Sequence, residues 1–281
     1  MWIKFAMIAT TICMALPGGV ISSEPTKPAA LKANDSVQEL KTKDGVEFGI
    51  WGRVESKRQP TLIVLASTVE ETLSDAYFRQ CGNQLADKAG WLCVSIDLPC
   101  HGTRQRKGEP NGLTGWRSRV DKGEDFVKPF NQRLSSVLDH LIENGYSDAK
   151  RIAACGTSRG GFLAVHFAAA DTRVACVAAF APVTKLAKLR EFKGAENNAL
   201  TKQLSLINYA GKLAKRSVWI VIGDQDQRVS TDSAIALARR LTTSKCAVEL
   251  HVMPEPRGHT TPKGAAGMAA RWIMAVFRNG G

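Results

Sequence analysis

A serine hydroxyl attacks a carbonyl at neutral pH only if a base takes its proton, and an imidazole serves as that base only when a third group orients it. The sequence offers candidates for all three parts. Ser158 lies in the run Cys155-Gly156-Thr157-Ser158-Arg159-Gly160-Gly161, with glycine two residues before it and two after. At those positions a side chain would collide with the neighbouring strand and helix in a sharp strand-to-helix turn, and such a turn pushes the serine out into solvent. So short a pattern carries weight only with a strand before it and a helix after it. Residues 151–155 are compact and apolar, as a buried strand is, and Phe162, Leu163, Val165, His166 and Ala169 recur at helical spacing. Further along, "GDQDQRVS" offers Asp224 and Asp226 as acids and "PEPRGHTTPKG" offers His259 as base. The chemistry of such a set is acyl transfer through a serine-bound intermediate; the bland competitor is a glycine turn with an idle serine.

These groups need elements to hold them. "VQELKTKDGVEFGIWGRVE" alternates on both sides of Asp44-Gly45, the pattern of two antiparallel strands on a tight turn. After Pro60, "TLIVLA" is a continuous apolar run and predicts a buried strand. A polar loop then leads to a helix over residues 76–89, capped by Ser74 or Asp75 and stopped by Gly90. "WLCVSIDLP" predicts the next strand, and residues 127–143 place Val127, Phe130, Leu134, Val137, Leu138 and Leu141 on one helical face. Strands follow at "VACVAAFAP", "SVWIVIGD" and "AVELHVMP", with helices over residues 233–241 and 264–277 after the last two. Strands alternating with helices imply right-handed crossovers and a mostly parallel sheet covered on both faces, an α/β fold in one domain. Residues 182–216 are more chain than a crossover needs and are expected to form a small helical cap over the site. In such a sheet the acid follows the penultimate strand and the base follows the last.

Together these features resemble the α/β-hydrolase superfamily over roughly residues 37–279. The resemblance rests on Gly156-Thr157-Ser158-Arg159-Gly160-Gly161 as nucleophile elbow, "DLPCHG" after the fourth strand, "GDQDQRV" after the seventh, and Gly258-His259 before the last helix. The doubled glycine and the front hairpin are most similar to the prolyl-oligopeptidase, dienelactone-hydrolase and acetyl-esterase branches. The resemblance implies a mostly parallel α/β-hydrolase sheet with an N-terminal antiparallel hairpin and helices on both faces. It also implies Ser158 as nucleophile, Asp226 as acid and His259 as base, because the superfamily pattern Gly-x-x-Asp-x-x-Val falls on Gly223, Asp226 and Val229. Two positions depart from the pattern. The loop after the third strand reads "LASTVEETL" where many relatives carry a His-Gly pair, so the oxyanion donors are expected at the backbone N–H of Thr68 and of Arg159, the latter opening a helix whose amides point at the developing charge. The residue after the serine is an arginine, whose amide serves wherever its side chain points.

The implied activity is a serine hydrolase cleaving a carboxylic ester with a short acyl group, with no metal and no organic cofactor. A serine peptidase of prolyl-oligopeptidase type is one alternative; a non-catalytic hydrolase-fold binding protein is another, though such a protein typically lacks a member of the triad. A dienelactone-type enzyme carries cysteine at the elbow and a haloalkane dehalogenase aspartate, so Ser158 argues against both. The other histidines read as structural: His251 inside a strand, His166 behind the elbow, His140 on the surface of an amphipathic helix, and His101 in a loop that Asp97 anchors by local hydrogen bonds. Residues 102–124 form a basic loop with Arg104, Arg106, Arg117 and Arg119, leaving the sheet edge where ligands bind in open α/β folds. Trp116 and Arg104 are its candidate contacts to a substrate carboxylate or sugar, weighed against a merely solvated loop.

Residues 1–23 read as a secretory signal peptide: Lys4 near the start, an apolar run over residues 5–16, and small residues around Ser22 and Ser23. The run is shorter than the roughly 20 residues of a spanning helix, so export to periplasm or medium without a stable membrane span is expected. Residues 24–36 are a polar, flexible lead and residues 37–281 the hydrolase domain. Cleavage removes Cys13, leaving Cys93, Cys155 and Cys176 in apolar segments as core residues and Cys81, Cys100 and Cys246 freer to pair. No two cysteines are spaced C-x-x-C, which leaves a zinc site little support. A net charge of +12 favours acidic substrates or polyanionic surfaces, but the basic residues are spread along the chain with no nucleic-acid-binding motif. A small-molecule or saccharide ester is the expected partner, and no nucleic acid.

Overall fold

Where both faces of a sheet are covered, its strands must be apolar on both sides, and the two sets of side chains must serve two different layers. The computed structural model describes residues 36–53 and 58–279; the leader at 1–23, Cys13 and all but the last residue of the 24–36 lead lie outside them. Eight strands run in the order β1-β2-β4-β3-β5-β6-β7-β8. They are β1 (Gln38–Lys41), β2 (Glu47–Trp51), β3 (Gln59–Leu65), β4 (Leu92–Ser95), β5 (Ser147–Thr157), β6 (Val174–Phe180), β7 (Ser217–Gly223) and β8 (Ala247–Met253). β2 is antiparallel to both β1 and β4, and every other pairing is parallel. The front hairpin turns at Gly45, whose φ of 87° is a left-handed value that suits glycine.

The helices are α1 (Val69–Ser74), α2 (Ala76–Arg79), α3 (Gly82–Ala89), α4 (Gly112–Asp121), α5 (Val127–Glu143), α6 (Arg159–Ala170), α7 (Ala199–Gln203), α8 (Thr231–Thr243) and α9 (Ala265–Asn279). Leu62 and Val64 of β3, Ala153 and Cys155 of β5, and Trp219 and Val221 of β7 pack in one layer with residues of α1, α3 and α9. The alternate residues, Ile63 and Leu65, Ile152 and Ala154, Val218 and Ile220, pack in the other with residues of α4, α5, α6 and α8. The six apolar residues expected on the inner face of α5 are all buried. No helix among the described residues is long and apolar enough to cross a membrane.

Several elements differ from the sequence reading, each for a local reason. The segment after β3 is helical rather than a polar loop: Thr68 Oγ accepts from the Glu71 N–H, and Glu70 and Glu71 sit in the first turn of α1. The helix expected over 76–89 is broken, because Gln80 adopts φ 49° and ψ −122° between α2 and α3. The basic run 102–124 is not an open loop; α4 fills its middle. Residues 182–216 form two short 3-10 turns, α7 and a longer 3-10 stretch, and Leu186, Phe192, Leu204 and Leu206 bury them in the layer that holds α6.

All six described cysteines are buried free thiols, which corrects the expectation that Cys81, Cys100 and Cys246 are available for pairing. Cys81 shares the apolar layer of Cys93, Cys155 and Cys176. Burial pushes the Cys100 thiol up to about 12, and Cys246 Sγ donates to the carbonyls of Leu213 at 3.1 Å and Ala210 at 3.7 Å.

Candidate active site

The elbow is built by the absence of side chains around it. A Cβ on Gly160 would stand 1.8 Å from Leu65 O, and one on Gly156 2.4 Å from the Gly160 backbone. No other residue fits, so β5 and α6 close on each other and on β3 at van der Waals distance. Between them Ser158 takes φ 54° and ψ −113°, left-handed and strained for a residue with a Cβ. Its backbone is pinned on both sides: the Ser158 N–H donates to Phe180 O at 2.8 Å and the Val183 N–H donates to Ser158 O at 3.1 Å.

Asp226 and His259 come from the loops after β7 and β8. Asp226 is buried; its Oδ1 accepts from the Arg228 N–H at 3.0 Å and the Val229 N–H at 3.2 Å, which leaves Oδ2 aimed outward. Oδ2 lies 2.7 Å from His259 Nδ1, and His259 Nε2 lies 2.9 Å from Ser158 Oγ. A carboxylate accepts, so Nδ1 carries the proton and Nε2 presents a lone pair to the serine hydroxyl. Asp224, two residues earlier, turns back and accepts from the Glu255 N–H at 2.9 Å. The structure therefore brings Ser158, His259 and Asp226 together and leaves Asp224 holding the two loops to each other.

Thr68 and Arg159 sit at neighbouring helix starts. Around Thr68 the loop is fixed by three bonds: Ser67 N–H to Thr72 Oγ at 3.0 Å, Val69 N–H to Asp97 Oδ1 at 2.7 Å, and Leu98 N–H to Ser67 O at 3.1 Å. Asp97 also accepts from the N–H and the hydroxyl of Thr103, so it anchors the loop that carries His101, as the sequence suggested, and ties it to the Thr68 loop. Among the described residues the N–H groups of Thr68 and Arg159 meet no acceptor, as first-turn and capping amides do unless a ligand supplies one. His101 is buried with Nδ1 2.9 Å from Pro99 O, and burial holds its pKa below the ordinary histidine value.

Two residues that sequence reasoning passed over hold the loop that carries His259. Gln80 is buried, and its Nε2 donates to Thr261 Oγ at 2.9 Å and to Thr157 Oγ at 3.2 Å, joining the His259 loop to the strand that carries Ser158. The Tyr77 hydroxyl lies 3.2 Å from Thr260 Oγ and accepts from the Thr261 N–H at 3.3 Å. Their only signal in the sequence is a polar residue inside an amphipathic pattern, which singles out nothing.

Trp116 is corrected from substrate contact to core. It is fully buried, stacks on Phe126 with centroids 4.5 Å apart, and donates from Nε1 to Pro99 O at 2.7 Å. Arg104 stands apart from the triad, lining a cavity of about 440 Å3 with Asp44, Glu47, Thr103 and Arg133. The other arginines of the run are paired within it or nearby: Arg106 with Glu124 at 2.6 Å, Arg117 with Asp121 at 2.8 Å, and Arg119 with Glu109 at 2.6 Å, the last buried. That pairing draws the Glu109 carboxyl down to about 2.

A profile of the prolyl oligopeptidase family matches residues 127–277. Among curated proteins, an acylamino-acid-releasing enzyme of Arabidopsis thaliana is similar at 25% identity, over 50% of this chain and 22% of that enzyme. The chain thus spans about a fifth of the length of that relative. Acetyl xylan esterase 1 from a Thermoanaerobacterium species has a similar fold, with a TM-score of 0.65 at 16% identity over 87% of this chain and 89% of that one. An esterase of Pyrococcus furiosus matches with a TM-score of 0.57 at 20% identity, over 87% and 90% of the two chains. Dipeptidyl peptidase 4 of Porphyromonas gingivalis matches with a TM-score of 0.64 at 16% identity, over 86% of this chain but 35% of that one. At such identities the solved structures speak to the α/β-hydrolase fold. The family profile spans more than half of the chain, from the first residue of α5 through the elbow and both following loops to α9, and the chain belongs to the prolyl oligopeptidase family of α/β-hydrolases.

Proposed function

We propose that the chain is a serine hydrolase that is acylated on Ser158 and deacylated by water, and that its substrate is a carboxylic ester with a short acyl group. The observation that carries this is the hydrogen-bonded chain from Asp226 through His259 to Ser158, at 2.7 and 2.9 Å. Ser158 Oγ bonds to the acyl carbon while His259 Nε2 takes its proton, and Asp226 stabilises the imidazolium. The carbonyl oxygen, now negative, faces the amides of Thr68 and Arg159. Collapse breaks the bond to the alcohol, which leaves with the proton from Nε2; a water molecule then repeats the sequence and frees the acid. A short acyl group is favoured because residues 182–216 pack into the core instead of standing off it as a large cap that could shelter a fatty tail. Peptide hydrolysis by the same residues is the second reading, favoured by the family's name and by the acylamino-acid-releasing relative.

Fluorophosphonate labelling, with Ser158→Ala as control, tests the nucleophile; acetyl and palmitoyl p-nitrophenyl esters and peptide anilides test the substrate. Label on Ser158 and faster turnover of the acetyl ester, with no anilide cleavage, is the expected result. Label retained in Ser158→Ala removes the elbow assignment, equal rates on both esters remove the short-acyl reading, and anilide cleavage establishes the peptidase. We further propose export after loss of residues 1–23. N-terminal sequencing of the exported protein should begin near Ser23 or Glu24, and finding Met1 there overturns the proposal.

A further inference from the structure

Arg159 lends its amide to the reaction proposed above and its guanidinium to nothing in it. The side chain is half-buried beside the nucleophile, and its Nε–H donates to Ala66 O at 3.0 Å. Among the described residues it makes no other hydrogen bond, and no carboxylate approaches it within 4.0 Å. A guanidinium has five N–H donors, and one that has lost much of its water ordinarily meets an anion. Burial opposes its charge, Glu71 and Glu191 favour it, and Arg228 repels it. Neither acid answers it. Glu191 commits both oxygens to Arg228 Nη2, at 2.7 and 2.8 Å, and Glu71 is exposed in the first turn of α1. A positive charge with donors to spare therefore stands one residue from Ser158.

Its position also says which half of a substrate it can meet. The leaving alcohol must lie against His259, since Nε2 has to reach the departing oxygen. The Arg159 Nε–H is held at Ala66 O, two residues before the Thr68 amide assigned to the carbonyl oxygen, and not at the His259 loop. Its reach is toward the acyl group.

We propose that the Arg159 guanidinium determines specificity for acyl groups that end in a carboxylate, so that the substrates of this site are half-esters of short dicarboxylic acids. The inference rests on the hydrolase reading of Ser158. The Arg159 side chain grips the distal carboxylate with its Nη groups while the Arg159 and Thr68 amides hold the carbonyl oxygen, and a charged bidentate contact of this kind fixes both position and identity.

The test compares monoethyl succinate with ethyl succinamate, which match in size and differ in charge, by pH-stat measurement of kcat/KM. Wild type, Arg159→Met and Arg159→Lys are measured alongside fluorophosphonate labelling of Ser158. Wild type should prefer the charged ester by about tenfold or more, the usual worth of a hydrogen bond to a charged group. The preference should fall to near one in Arg159→Met and survive in part in Arg159→Lys, which keeps the charge without the fork. Should Arg159→Met fail to fold, Arg159→Lys and the decline of the wild-type preference with added salt carry the same comparison. A wild-type ratio at or below one, or a ratio unchanged in the variants, overturns the proposal. If Ser158 takes the label and the ratio is one, only the carboxylate assignment falls. If Ser158 is not labelled and neither ester is cleaved, the hydrolase reading falls and takes this with it.

Discussion

Asp224 and Asp226 stand two residues apart in one loop and do different work, because their side chains leave the backbone toward different neighbours. Asp226 has one oxygen satisfied by two amides of its own loop and the other on His259, whereas Asp224 accepts from Glu255 across the loop base. Asp226→Asn puts an amide where the Nδ1 proton must be accepted, so it should lower turnover by about a thousandfold or more with the fold unchanged. Asp224→Asn should cost less than about tenfold in turnover and show itself as a lowered melting temperature. Turnover and circular dichroism on both variants decide the matter, and a far larger loss for Asp224→Asn would reassign the acid. Residue types alone presented the two as equals, and it took the spacing from Gly223 to Val229 to separate them. Trp116 is the opposite lesson. A large aromatic among arginines looks like a ligand contact, and nothing in the local sequence reveals that Phe126 and the Pro99 carbonyl already surround it.

At the scale of elements, the elbow depends on β5, β3 and α6 meeting without side chains between them. Gly160→Ala would drive a Cβ into Leu65 O, a backbone atom that cannot step aside, so a loss of about 3 kcal/mol or more in urea unfolding is expected, with activity lost alongside. The break at Gln80 makes a subtler prediction. Its side chain ties the His259 loop to β5, so Gln80→Met should lower kcat by about tenfold or more while leaving KM nearly unchanged, since a small displacement of the base affects the chemical step first. A variant with lower melting temperature and normal kcat would mean that Gln80 only supports the fold. The strands were legible because burial on both faces writes a continuous apolar run, and α5 because its six inner residues keep helical spacing. The division of 76–89 was not legible: Gln80 leaves the helix to reach Thr157 and Thr261, which lie far away in sequence, and propensity carries no trace of that.

For the whole molecule, one buried imidazole sets an acid limit. His166 is enclosed between the rings of Phe162 and Tyr209, with Nε2 3.0 Å from Leu204 O, and burial pulls its pKa down to about 3. A depressed histidine is neutral in the folded chain, and the unfolded chain takes up a proton near the ordinary value of about 6.5. Above that pH neither state is charged and nothing is lost. Below it the unfolded state gains, so stability should fall by roughly 1.4 kcal/mol per pH unit until the folded group titrates near 3. Between pH 7 and pH 5 the wild type should lose about 2 kcal/mol more than His166→Gln by urea unfolding, and equal losses would contradict this. The buried cysteines have a further consequence, in time rather than energy. Because all six described cysteines are buried, a colourless thiol reagent that releases dye on reaction with them would chiefly count openings of the molecule instead of exposed sites. Cys155 lies on the same strand as the elbow and three residues before Ser158, and it is completely enclosed, whereas Cys246 is 8% exposed near the rim. The order in which those two sulfurs react would be a stopwatch for the order in which the structure comes apart, from the edge of the sheet inward to the strand beneath Ser158.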